Sequence, residues 1–192
     1  MPELKVQHKL DRRIRVWSAG CSSGEEAYSI AMVMHEAGVD RNWDAKLLAT
    51  DLDTDMVARA KLGHYSYSEE KRQGISDQRL QQYFFIEDDS GNSPANTNTS
   101  TNTMRVKDNL KELIIFKQLN LLQHWPMRGP FDVIFCRNVI IYFDKETQRA
   151  LFNNFANILV PGGYIFIGHS ESLHNVSDRF ESCGKTIYRK IH

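Results

Sequence analysis

Apolar residues fall along the chain in short clusters whose spacing alternates between that of strands and that of helices. Ile14-Arg15-Val16-Trp17 is a β-prone run broken by Ser18-Ala19-Gly20. Beyond Cys21-Ser22-Ser23-Gly24-Glu25-Glu26, the residues Ala27, Ile30, Ala31 and Met34 recur at i, i+3, i+4 and i+7. That spacing puts four apolar side chains on one face of a helix, and Gly38 stands where such a helix stops. Residues 46–50 predict a second strand, followed by Asp51-Leu52-Asp53-Thr54 and a short helix with Met56, Val57 and Ala60 inward and Gly63 as its stop. Strand, helix, strand, helix with right-handed crossovers makes a parallel sheet the economical fold.

The middle of the chain reads differently. Residues 75–85 predict a short helix capped by Ser76, with Leu80, Tyr83 and Phe84 on its inner side. Eleven of the fourteen residues 90–103 are Ser, Thr or Asn, a composition that buries no apolar area and predicts a mobile loop. Its flanks, Tyr83-Phe84-Phe85-Ile86, Met104-Arg105-Val106 and Leu113-Ile114-Ile115-Phe116, predict strands of a small antiparallel excursion over about residues 84–118.

The parallel pattern then resumes. Phe131-Asp132-Val133-Ile134-Phe135-Cys136 is nearly all apolar, as suits a strand covered on both faces. Asp144 predicts the cap of a helix whose stripe is Leu151, Phe152, Phe155, Ile158 and Leu159. Pro161-Gly162-Gly163 is expected to stop it before a buried strand, Tyr164-Ile165-Phe166-Ile167, and residues 180–183 and 186–189 predict an antiparallel hairpin at the sheet edge.

Composition narrows the function. The 24 basic and 24 acidic residues cancel, which argues against a broad nucleic-acid surface. No apolar run approaches a membrane span, and residues 1–10 are too polar for a signal peptide. Three scattered cysteines, Cys21, Cys136 and Cys183, form neither a disulfide framework nor a CxxC site and suit a reducing cytoplasm. The seven histidines show no metal-ligand spacing, so no metal site is expected.

In a doubly wound sheet the ligand sits outside the carboxyl ends of the strands. Those ends here carry residues 19–26, then Asp51 to Asp53, then Arg137-Asn138 with Tyr142 close behind, then Gly168-His169-Ser170-Glu171. The first turn has Gly20 and Gly24 without the GxGxxG fingerprint or a P-loop lysine, and Glu25 and Glu26 would repel a pyrophosphate. A nucleoside without phosphates suits it better. Asp51 is placed to accept hydrogen bonds from both ribose hydroxyls. Together these features suggest S-adenosylmethionine. Blander roles stand beside these. Ser23 to Glu26 also reads as a capping box, with Ser23 as N-cap. Asp53 reads as a helix cap, Cys21 and Cys136 as buried small residues, His169 as structural, and Tyr142 and Phe143 as core aromatics.

Taken together, Val16-Trp17-Ser18-Ala19-Gly20-Cys21-Ser22-Ser23-Gly24-Glu25-Glu26-Ala27-Tyr28-Ser29, Ala49-Thr50-Asp51-Leu52-Asp53, Asn120-Leu121-Leu122, residues 131–143 and Gly168-His169-Ser170-Glu171 resemble one family, the bacterial chemotaxis receptor glutamate O-methyltransferases known as CheR. The five motifs stand in order over about residues 13–189. The resemblance implies a class I, Rossmann-like methyltransferase domain over residues 1–192, a mostly parallel sheet with a small inserted antiparallel subdomain. It implies that Ala19 and Gly20 line the cofactor, that Glu26 faces its methionine part, and that Asp51, with Leu52 beside it, holds the ribose. Asn120 and Leu121 would hold the adenine, Arg137 and Asn138 the methionine and methyl end, and Tyr142 would stand with Arg137 at the catalytic mouth.

The implied reaction transfers the methyl of S-adenosylmethionine to receptor glutamates, leaving S-adenosylhomocysteine. The expected partners are the cytoplasmic domains of methyl-accepting chemotaxis receptors, with no nucleic acid and no membrane insertion, and the expected state is a cytoplasmic monomer. The family carries an N-terminal helical domain and a linker with an Asn-x-Thr-x-Phe-Phe-Arg motif, and this sequence, with about a dozen residues before its first strand, is expected to lack both. A non-catalytic module on the same fold, or a methyltransferase for another acceptor, are the competing readings.

Overall fold

The computed structural model describes residues 1–39, 41–67, 75–87 and 102–192. Strands β1 (Arg13–Ser18) and β2 (Asp44–Asp51) pair in parallel with Val16 opposite Leu47, and β1 also pairs in parallel with β7 (Phe131–Cys136), Val16 opposite Val133. Outward from β2 lies β6 (Ile114–Gln118), and outward from β7 lie β8 (Leu159–Ile167), then β10 (Ile187–Lys190) and β9 (Phe180–Ser182), both antiparallel. The order is β6-β2-β1-β7-β8-β10-β9. The chain works outward from β1 to β6 and then returns to β1's other side, so the strand order reverses between β1 and β7. That is where a doubly wound sheet opens a crevice for a ligand.

Each face of the sheet has its own core. Helices α2 (Glu25–Glu36), α3 (Thr54–Leu62), α4 (Asp77–Tyr83) and α5 (Asp108–Lys111) cover Ile14, Val16 and Leu47 on one face. Helix α6 (Lys145–Ile158) covers Trp17, Ile134 and Ile165 on the other. The change of face between Val16 and Trp17 is the two-residue alternation of a strand. The predicted ends hold where capping chemistry sets them. Val39 and Gly38 donate to Met34 and His35 beyond α2, the paired bonds of a Schellman ending. Asp53, Ser76 and Asp144 accept from the first turns of α3, α4 and α6.

Four expectations are corrected. Residues 113–116 were expected in the antiparallel excursion, whereas β6 joins the main sheet in parallel with β2. The small sheet is β3 (His64–Tyr67), β5 (Asn102–Val106) and β4 (Phe84–Glu87), in the order β3-β5-β4. Its strands therefore fall between residues 64 and 106 rather than over 84–118, and its first strand was not predicted. Residues 102 and 103, expected in the mobile loop, open β5, and the rest of that tract lies outside the described residues. Leu159 starts β8 rather than ending α6, and Pro161-Gly162-Gly163 lies inside β8. An irregular register there, Phe131 opposite Leu159 but Val133 opposite Tyr164, absorbs the extra residues. A short helix not predicted from the sequence, α1 (Pro2–Gln7), buries Leu4 in the first core, and His8 just beyond it bonds Asp132 on β7 at 2.8 Å.

Candidate functional site

The carboxyl ends of β1, β2, β6, β7 and β8 meet at one edge of the sheet, and their loops are locked to one another by hydrogen bonds. After β1, the Ala19 amide donates to the Phe135 carbonyl at 2.7 Å and the Cys21 amide to the Thr50 carbonyl at 2.9 Å, tying the first loop to β7 and β2. Gly20 lies so close to the loop after β7 that a Cβ there would stand 2.4 Å from Val139 Cγ2. Any side chain would push the two loops apart. Behind the loop, the Tyr65 hydroxyl of β3 donates to the Ser23 carbonyl at 2.8 Å, and Gly24, at φ 101°, starts α2.

That geometry removes the capping box. Gly24 is the N-cap of α2, and the Ser23 hydroxyl instead donates to the Glu25 carboxylate. Glu26 turns inward, accepting from the Ser18 hydroxyl at 2.8 Å and from Arg137 Nη1 at 3.2 Å. With one half-exposed arginine and one mostly buried glutamate, the pair presents both signs of charge at one spot. Such a pair complements an amino-acid zwitterion better than a phosphate.

Asp51 ends β2 with both carboxylate oxygens in use once. Oδ2 accepts from the Ser22 amide at 2.8 Å and Oδ1 from the Asp53 amide at 3.1 Å. Each oxygen has a second lone pair, so the carboxylate is held rigidly and can still accept two hydroxyl protons. Leu52 is exposed, and its carbonyl accepts from Gln118 Nε2. Asn120 accepts the Leu122 amide with its side-chain oxygen at 2.9 Å, which fixes the side chain and leaves its amide N–H groups free to donate. Leu121, half-buried against the second core, anchors Trp125 through its carbonyl. Asn138 takes a left-handed conformation, φ 60°, directly after Arg137. Tyr142 stands apart at the rim, 79% exposed.

The predicted residues therefore divide. Glu26 and Arg137 are bonded to each other, Ala19 is bonded to β7 and Asp51 to the first loop, Gly20 and Asn138 form the turns after β1 and β7, Asn120 and Leu121 follow β6, and Leu52 and Tyr142 are exposed. Glu26 and Arg137 also line a groove of about 750 Å³ whose walls include Phe135, Phe166 and Tyr164. Asp51 and Asn120 do not line it, so the groove extends from the charged end of the site only. Burial raises the Cys21 thiol to about 12, helped by the Asp51 charge, and burial raises Cys136 further. Both read as packed thiols, not nucleophiles. The residue that sequence reasoning passed over is Glu171, a buried carboxylate that accepts main-chain N–H groups from two loops. Its signal was faint because an acid in a polar string gives no hint that it folds inward.

A reversed strand order, an acidic first turn without a phosphate clamp and a carboxylate at the end of β2 define an α/β domain for a nucleoside, in the class I methyltransferase arrangement. The sequence places it more narrowly. Residues 1–189 match the family of the CheR methyltransferase, SAM binding domain, and the chain belongs to that family. A probable chemotaxis protein methyltransferase of Rhizobium etli is 38% identical over 191 residues, covering 98% of this chain and 67% of that protein. The chemotaxis protein methyltransferase of Salmonella typhimurium is 40% identical over 175 residues, 91% of this chain and 57% of the relative. The chain thus spans between half and two thirds of the curated relatives it matches. No helix among the described residues is long and apolar enough to cross a membrane.

Proposed function

We propose that this domain binds S-adenosylmethionine across the ends of β1, β2, β6 and β7 and directs its methyl to glutamate side chains of methyl-accepting chemotaxis receptors, on their cytoplasmic domains. The observation that carries the reading is the pairing of two complementary ends. Asp51, doubly anchored and still able to accept, suits a ribose diol, and the Glu26–Arg137 pair suits the amino and carboxylate groups of a methionine tail. Asn120 and Leu121 flank the adenine side. Bound S-adenosylmethionine supplies an electrophilic methyl on a positively charged sulfur.

The chain's own residues then have modest work. A glutamate acceptor with a pKa near 4.3 is already ionised at neutral pH, so no general base is required. Cys21, the thiol within the first loop, is held protonated by burial and offers no thiolate there. What remains is orientation, worth several orders of magnitude in rate when a nucleophile is held in line at close range. Arg137 faces the same end as Glu26 and would steer an acceptor carboxylate, with Tyr142 at the rim shaping its approach.

Calorimetric titration with S-adenosylhomocysteine tests the reading. The wild-type chain should bind it in preference to ATP, and Asp51→Ala should weaken binding by about 2 kcal/mol, the scale of hydrogen bonds to a charged acceptor. Equal affinity in that variant would overturn the ribose assignment. Transfer of labelled methyl to receptor-bearing membranes, absent from membranes without receptors, tests the acceptor.

A further inference from the structure

We infer that Glu171 is a positioning residue for the amino-acid end of the cofactor site, holding Arg137 and Asn138 in place through their main chain; this rests on the S-adenosylmethionine reading above. Glu171 follows β8 and is 7% exposed. Its Oε1 accepts from the amides of Val139 and Ile140, each at 3.1 Å, and its Oε2 from the amides of Asn138, at 3.1 Å, and Gly168. Every one of these partners is a main-chain N–H. Three consecutive amides turned onto one carboxylate form a nest, the arrangement in which a left-handed residue followed by a right-handed one points its N–H groups at an anion. Asn138 has φ 60° and Val139 has φ −115° and ψ −46°, the sequence such a nest needs. Here the anion is built into the chain.

The consequence falls on Arg137. Asparagine tolerates the left-handed region better than other non-glycine residues, and at Asn138 the carboxylate that accepts its amide fixes that conformation. Without it the loop is free to relax, and the guanidinium one residue earlier loses its fixed origin opposite Glu26. The tight packing agrees. A Cβ on Gly168 would stand 2.7 Å from Glu171 Oε2 and 3.1 Å from the Asn138 amide, and one on Gly20 would strike Val139. Glu171 thus joins the loops after β7 and β8, and Val139 passes the constraint to the loop after β1. Asp51, on β2, accepts nothing from the loops Glu171 joins; its partners are the amides of Ser22, in the loop after β1, and of Asp53. Glu171 therefore holds the amino-acid end through its own bonds and reaches the ribose end only through the packing of Val139 on the loop after β1.

A ligand pair separates positioning from mere stability. S-adenosylhomocysteine carries the amino-acid tail, and 5′-methylthioadenosine keeps adenine, ribose and sulfur without it. In calorimetry on the intact chain, Glu171→Gln, which keeps the size but replaces one accepting oxygen by an amide nitrogen, should weaken S-adenosylhomocysteine at least tenfold. It should leave methylthioadenosine within twofold. A purely structural staple would lower both equally through the unfolded fraction, and that result, or no change in either, overturns the inference. Should Glu171→Gln not fold, Glu171→Asp withdraws the carboxylate by one methylene and is read the same way. Asp51→Ala is the control for the site itself and should weaken both ligands. If it weakens neither, the cofactor site is misplaced; if it weakens both while the Glu171 variants show no split, only the role of Glu171 fails.

Discussion

Two buried polar atoms show how single residues are committed. Trp17, fully buried at the centre of the sheet, donates its indole N–H to Thr50 Oγ1 at 2.9 Å. Thr50→Val removes the acceptor at nearly constant volume, so it should destabilise the protein by about 1–3 kcal/mol, the cost of a buried donor left unpaired. Thr50→Ser should restore most of that loss in urea melts. If the valine variant is as stable as wild type, the bond is not what holds the indole. The cysteines are separated by environment. Cys21 and Cys136 are buried and Cys183 is exposed. Burial, reinforced by the Asp51 carboxylate, puts the Cys21 thiol near 12, so at pH 8 almost none is thiolate, the reactive form. Brief treatment of the native protein with iodoacetamide should label Cys183 and spare Cys21 and Cys136, as peptide mass spectrometry can show. Equal labelling of Cys21 would contradict the packing.

Among the elements, helix α6 carries a pH signature. The Thr147 amide donates to Asp144 at its N-terminus and holds that carboxyl below the ordinary aspartate value of 3.8. A lowered folded-state value means the contribution is present above 3.8 and is lost as pH falls beneath it. Asparagine caps equally well without titrating, so Asp144→Asn should flatten the acid limb of the stability curve and leave neutral-pH stability almost unchanged. An unaltered acid limb would remove Asp144 from the account. The elements the sequence reveals best, β1, α2, β2, α3, β7 and the body of α6, are those with two-sided burial or a marked cap. Those it hides have physical reasons. Strand β6 lies at the sheet edge with Ile115 exposed between buried Ile114 and Phe116, and that alternation reads as antiparallel. Strand β3 is four residues long and follows directly on the stop of α3. Helix α1 has one buried side chain, too few for a period. At the candidate site, the placement of Asp51, Glu26 and Arg137 was legible because each stands at the boundary of a predictable element. Glu171 was not, because the loop amides it holds at positions 138–140 lie 31 to 33 residues away in the chain.

On the scale of the whole molecule, the two cores divide the load. Phe155 sits within 5.7 Å of the rings of Trp17, Trp125 and Phe152 and is fully buried, so Phe155→Ala should cost about 3–5 kcal/mol, and Phe155→Leu less. A smaller loss for alanine than for leucine in denaturant titrations would mean that the cavity collapses. The central pairing of β1 with β7 has a temporal side as well. Glu26 and Arg137 are 111 residues apart, and everything between them must be laid down before β7 can dock beside β1. Non-local pairing of this kind is the slow part of folding. An intermediate complete only as far as β6 would own Asp51 and Glu26 and lack the Arg137 guanidinium that pairs with Glu26. Competence to hold a whole ligand therefore works as a clock: in refolding followed by tryptophan fluorescence, the ability to bind S-adenosylhomocysteine should emerge with the last phase that closes the second core, and no sooner.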